Sequence, residues 1–193
     1  VTFHGGNSTY CAGASARANM VSSDGWTITD GGEDCSASPD DFVITVQTDN
    51  PGPSTDTQFT IPTSGHTYNY NVDCNNDGID EATGETGSYT CDYGAAGLNT
   101  GTGTYTIRIK DNSGLGTGFP TIYFNNSGDK EKLLSVEQWG TGQWQTMYAA
   151  FSGCTNLVIN ATDAPDLSNV TSMIYMFNNA DAMNQDISSW DIS

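Results

Sequence analysis

Trp144-Gln145-Thr146-Met147-Tyr148-Ala149-Ala150-Phe151-Ser152-Gly153-Cys154 and Val170-Thr171-Ser172-Met173-Ile174-Tyr175-Met176-Phe177-Asn178-Asn179-Ala180 are two versions of one pattern, displaced by about 26 residues. Met147 falls on Met173, Phe151 on Phe177, Cys154 on Ala180 and Leu157 on Met183. Asp166-Leu167-Ser168 matches Asp191-Ile192-Ser193 at a shift of about 25, so one residue slips between the blocks. A period of this length means one supersecondary unit per repeat, and such units bury their apolar faces by stacking on one another. The expectation for residues 127–193 is the start of a solenoid with two repeats of 25–26 residues, its strand part at Leu157-Val158-Ile159. Stable arrays normally need three or more units, so a second repeat that stops at Ser193 predicts a longer parent chain.

Upstream the periodicity changes from 26 to 2. Alternating apolar and polar runs at 42–46, 59–61, 68–72, 88–91, 104–109 and 121–124 are punctuated by Pro51-Gly52-Pro53, Asn76-Asp77-Gly78 and Asn112-Ser113-Gly114. Short strands at this spacing predict a small antiparallel sandwich over residues 38–126. Residues 11–22 have helical composition, with Ala14, Ala18 and Val21 on one face, and Trp26-Thr27-Ile28-Thr29 reads as a half-buried strand stopped by Asp30-Gly31-Gly32. The fold class expected is mainly β with short helices.

Of the 193 residues, 23 are acidic and five are Lys or Arg, giving a net charge of −18. That balance argues against a nucleic-acid or anionic-membrane surface and favours cationic partners. No apolar run approaches the ~20 residues of a membrane-spanning helix, so membrane insertion is not expected. Scarce Lys with abundant Gly, Ser, Thr and Asn suits an extracellular or cell-surface protein, where disulfides persist. In chain order the five Cys suggest Cys11–Cys35 and Cys74–Cys91 as disulfides, with Cys154 a buried thiol; order alone leaves other pairings open.

Val170 to Phe177, followed by Met183-Asn184-Gln185-Asp186-Ile187-Ser188-Ser189-Trp190-Asp191-Ile192-Ser193, resembles the BspA-like leucine-rich-repeat surface proteins of bacteria, with Met183 where that family has Phe. Tyr70-Asn71-Val72-Asp73-Cys74-Asn75-Asn76-Asp77-Gly78 is similar to the V-D-W-x-D-G turn of PKD-type immunoglobulin-like domains. Gly103-Thr104-Tyr105-Thr106-Ile107-Arg108-Ile109 is similar to their G-T-Y-T-V-x-I strand. In that alignment Cys74 and Cys91 replace a packed aromatic pair. The opening 1–37 looks like the C-terminal cap of a solenoid. These resemblances imply a PKD-like spacer joined to solenoid pieces, working in adhesion or display toward a protein or glycan on another surface, or toward neighbouring copies of itself. Two alternatives are a structural fibre subunit assembling end to end without a ligand and a carbohydrate-binding accessory module of a secreted hydrolase.

The densest chemistry lies at Asp73-x-Asn75-x-Asp77-Gly78-Ile79-Asp80-Glu81, with Glu85 beyond. Oxygen ligands alternate at positions one, three and five, Gly78 permits the turn and the Ile79 carbonyl falls at position seven, as in a calcium loop. Position twelve is Gly84, so closure would fall to Asp80, Glu81 or Glu85. The competing reading is an Asx-rich turn whose side chains cap their own backbone. Only His4 and His66 are available as bases and neither lies in a nucleophile motif, so no enzyme is expected. Among the repeat aromatics, Tyr175 and above all Trp190 are candidate exposed platforms, with Ile187 and Ile192 the expected inward fillers.

Overall fold

The computed structural model describes residues 1–6, 9–10, 14–30, 32–33 and 38–192. In chain order the elements are β1 (Thr2–His4), β2 (Thr9–Tyr10), α1 (Ala14–Ser22), β3 (Thr27–Thr29), β4 (Gly32–Glu33), β5 (Phe42–Gln47), β6 (Gln58–Ile61), β7 (Tyr70–Asp73), β8 (Ala82–Glu85), β9 (Tyr89–Asp92), β10 (Thr104–Asp111), β11 (Leu133–Gln138) and β12 (Val158–Ile159). The protein is mainly β, with one short helix among the described residues. None of its helices there is long and apolar enough to cross a membrane.

A mixed sheet in the order β12-β11-β5-β10-β7-β8 forms the body. A second, antiparallel pair, β6 with β9, aligns Phe59 with Cys91. Phe59, Ile61 and Cys91 share one apolar core with Ile44, Val46, Val72 and Ile107 of the larger sheet. The alternation read from the sequence explains β6, where Phe59 and Ile61 point inward and Gln58 and Thr60 stay partly exposed. It fails in the middle of β10, where Ile107, Arg108 and Ile109 are all buried. Arg108 tolerates this because it faces the buried Asp73 of the neighbouring β7.

Beyond residue 126 the chain stays in the same sheet. β11 pairs antiparallel with β5, matching Val136 to Ile44, and on its other side takes β12 in parallel, matching Ser135 to Val158. Trp139, Trp144, Phe151 and Leu157 join the same buried core. The segment 121–124, expected as a sandwich strand, forms none. Its buried Ile122 and Phe124 alternate as a strand's would, but the Phe124, Asn125 and Asn126 N–H groups donate to Ala150, Ala149 and Ser152 carbonyls, making it the edge of a layer instead.

Successive layers are laid one on the next. The N–H groups of Met147, Ala149, Phe151 and Gly153 donate to the carbonyls of Ser172, Ile174, Met176 and Asn178 at 2.8–2.9 Å, every bond spanning 25 residues. The same offset recurs at the N-terminus, where β1 and β3 pair in parallel with Thr2 on Thr27. β2 and β4 also pair in parallel, Thr9 with Gly32, at the slightly shorter offset of 23 residues. Helix α1 lies between the paired strands in sequence, and Arg17 is tied to Asp30 at 2.7 Å.

Candidate functional site

In the acidic loop the oxygens are largely engaged within the chain. Asp73 accepts the Gly78 N–H at 2.9 Å and the Asn75 N–H at 3.4 Å, Asn75 accepts the Asp77 N–H at 3.2 Å, and Asp77 accepts the Ile79 N–H at 2.8 Å. Glu81 accepts the Cys74 N–H at 2.6 Å, and burial pushes its carboxyl above the ordinary range. Asp73 is fully buried with Arg108 at 3.8 Å and Lys110 at 3.9 Å, while Asp80 holds Lys110 at 2.5 Å. Glu85 is carried away along β8, opposite Tyr70, and the Ile79 side chain is half exposed. Among the described residues no three His, Cys, Asp or Glu side chains converge to hold a metal ion. Two cations of the chain, Arg108 and Lys110, face Asp73 from β10. In this arrangement the loop forms an Asx-rich turn with Arg108 and Lys110 set against Asp73.

Cys74 and Cys91 form a disulfide with Cα atoms 5.7 Å apart, tying the end of β7 to β9 and so one sheet to the other. Closing a 17-residue span stabilises by about 3 kcal/mol in the chain-entropy model. Beside it the Tyr93 hydroxyl donates to the Cys74 carbonyl at 2.6 Å and its ring stacks on Tyr105 at 3.6 Å. Cys11 and Cys35 lie outside the described residues. Cys154 is buried and free, its thiol pushed up by desolvation.

The two proposed platform residues part company. Trp190 is half buried, edge-on to Trp139 at 5.2 Å and tilted against Phe177 at 6.2 Å, so it closes the core while Ile192, the expected inward filler, is 72% exposed. The indole buries more apolar area than an isoleucine would, which decides the exchange. Tyr175 is exposed and belongs to a stripe that sequence inspection did not assemble. Tyr123 lies 6.4 Å from Tyr148, nearly parallel, and Tyr148 lies 6.2 Å from Tyr175. The 25-residue spacing of Tyr123 and Tyr148 was the available signal; it was masked because 121–124 read as a sandwich strand.

Beside the stripe runs a cleft of about 640 Å³, walled by the layers on one side and by the 64–66 turn on the other. Tyr68 fixes that turn: its buried hydroxyl accepts the Ser64 N–H at 3.0 Å and donates to the Thr121 carbonyl at 3.1 Å. The Tyr123 N–H reaches the Pro62 carbonyl at 3.3 Å. Ser64 in turn holds the His66 Nδ1 at 2.9 Å. The wall opposite is set by the layer ladder and by Thr146, whose hydroxyl oxygen accepts the Tyr148 N–H at 3.1 Å.

Residues 121–193, the layered part and its approach, are similar to the family described as "Mycoplasma protein of unknown function, DUF285". Neither the curated proteins nor the solved structures contain a significant match to the chain.

Proposed function

We propose that this chain is a non-enzymatic extracellular or cell-surface module of bacterial type. In it an immunoglobulin-like, PKD-type spacer carries a leucine-rich-repeat-like solenoid whose side surface contacts a protein or glycan on another surface. The observation that carries this reading is the layering: side chains recur every 25–26 residues, the hydrogen bonds follow the same offset, and the stack grows out of the spacer's own sheet. Stacks of this kind hold side-chain stripes at fixed spacing across an extended face, which is how repeat proteins bind. The parallel pairs of β1 with β3 and β2 with β4, at similar offsets, support 1–37 as the closing cap of a preceding stack. Rigidity comes from the Cys74–Cys91 bond and from Arg108 and Lys110 inside the acidic loop.

The test is adhesion of beads coated with the purified chain to fixed cells and to arrays of matrix proteins and glycans, against albumin-coated beads. Binding above albumin that soluble chain competes away is the expected outcome. Beads that bind nothing, with the chain monomeric in sedimentation, would overturn it.

A further inference from the structure

We infer that the cleft beside the tyrosine stripe is a binding site for a neutral glycan chain, with pyranose rings stacked along Tyr123 and Tyr148 toward Tyr175. This rests on, and sharpens, the reading of the layered face as an interaction surface.

Charge is the first observation. The chain carries 23 carboxylates, yet the cleft is lined by Ser64, His66, Gln145, Thr171 and their neighbours, without a single Asp, Glu, Lys or Arg. By contrast, the cleft lined by Asp40, Asp41, Lys110 and Asp111 carries charged groups of both signs. A neutral lining set in an acidic protein matches a ligand without formal charge and repels polyanions such as uronic-acid polymers at longer range.

The second observation is the combination of ring faces with uncommitted polar groups. An aromatic face is electron-rich and complements the C–H face of a pyranose, while side-chain amides and hydroxyls match its equatorial hydroxyls. Tyr148, in the cleft wall, is 38% exposed, and Tyr175, edge-on to it beyond the cleft, is 61% exposed. Gln145 and Thr171 have no side-chain partner among the described residues, and His66, also in the lining, uses Nδ1 on Ser64 and keeps Nε2 uncommitted. A few convergent polar groups beside an apolar platform is the usual composition of a small-molecule or oligosaccharide site.

Preorganisation is the third. Tyr68 joins the turn carrying His66 to Thr121, two residues from Tyr123, so both walls are set before a ligand arrives. Little ordering remains to be paid for on binding.

The test is titration of the intact chain with uncharged hexaoses of glucose (β- and α-linked) and of mannose, followed by calorimetry and by the tyrosine ring signals in NMR. A hexamer of galacturonate and a proline-rich decapeptide serve as the other arms. At least one neutral hexaose is expected to bind and to shift the tyrosine signals, with Tyr148→Ala weakening it by about tenfold or more. Gln145→Ala, at an exposed position that contributes nothing to the core, is expected to weaken it several-fold with an unchanged melting curve. Tyr68→Phe is expected to reduce affinity with little change in the tyrosine-stripe signals of the free protein. Silence of all neutral hexaoses at millimolar concentration, binding unaffected by both Tyr148→Ala and Gln145→Ala, or preference for galacturonate or for the peptide would each overturn the inference. If the neutral hexaoses fail while coated beads still adhere to cells or matrix proteins, the glycan assignment falls and the surface role stands.

Discussion

Lys132 is fully buried in a strongly acidic protein, and its neighbours explain how. Its Nζ donates to the Ser54 carbonyl at 3.2 Å, to those of Thr55 and Gln58 at 2.8 and 2.9 Å, and to the Ser54 hydroxyl at 2.8 Å. Asp129 nearby accepts the N–H groups of Ser54 and Thr60 at 3.2 and 2.7 Å, so the two side chains hold the segment that leads into β6. Burial draws the ammonium below the ordinary lysine range, against the pull of Asp129. Lys132→Met keeps the volume but strands the Ser54 and Thr55 carbonyls and leaves the Gln58 carbonyl only the Ser54 hydroxyl, and is expected to cost about 3 kcal/mol, read as a lower urea midpoint at unchanged slope. A cost below about 1 kcal/mol would show that water takes over the ammonium's bonds. At Asp73 the outcome concerns an ion. Because Arg108 and Lys110 already neutralise it, melting curves in calcium and in EDTA are expected to superimpose. A rise of several degrees in calcium would mean that both cations yield their place to the metal. These residues show where the sequence ran out: the acidic spacing was plain, but Arg108 and Lys110 lie about thirty residues away and reach the loop only because β10 pairs with β7.

At the scale of elements, each layer turns on left-handed residues in equivalent positions. Ala149 and Tyr175 have φ of 49° and 60°, and Gly153 and Asn179 have 81° and 57°. A Cβ on Gly153 would collide with the Asn126 and Lys130 side chains of the layer below. Gly153→Ala is expected to destabilise by about 2 kcal/mol or more, strain and collision adding. Asn179→Gly, at an exposed left-handed position, is expected to be neutral or to stabilise by up to about 1 kcal/mol. Equal effects in the two layers, measured by thermal melts, would show that position in the stack does not matter. The repeat was legible because stacking forces side chains to recur, β6 because only one of its faces is buried, and β5 and β10 because they are rich in β-branched and aromatic residues. β11 was missed since bulges at Leu133/Ser135 and Val136/Gln138 break its alternation. β8 was missed since Ala82-Thr83-Gly84-Glu85 has poor strand propensity and Gly84 sits at φ +70° beside an irregular pairing.

For the whole molecule, a net charge of −18 makes self-repulsion a standing cost. Glu81 and Asp41 have carboxyls raised above the ordinary range, in each case chiefly by burial. The folded chain therefore binds protons more readily than the unfolded one in the window just above ordinary carboxylate values, so stability rises as pH falls through it. Asp111 runs the other way: burial raises it, but bonds from Ser113, Gly116 and Gly118 outweigh that and leave it low, so its contribution is lost as pH falls below the ordinary carboxylate value. Urea midpoints are expected to climb from about pH 7 to about pH 5 and then fall, and added salt should flatten the climb. A monotonic loss from neutrality downward would contradict this. Composition made the charge plain, whereas the uncharged cleft was not legible, because it joins a turn before β7 to layers far along the chain. The pairing of β5 with β11 also carries a mechanical consequence. Val43 and Gln138 are partners, so the chain enters and leaves this ladder at the same end. Tension on a tethered molecule would peel the pair open one rung at a time instead of loading all its rungs together in shear. Gln138 is the latch at that end, its amide donating to the Ser38 and Asp41 carbonyls at 2.6 and 2.7 Å, with Thr141 bonded to Asp40 beside it. Under such a load the first rung to break lies at Gln138, one residue before the Trp139 whose ring packs on Phe151 and Trp190 of the layers.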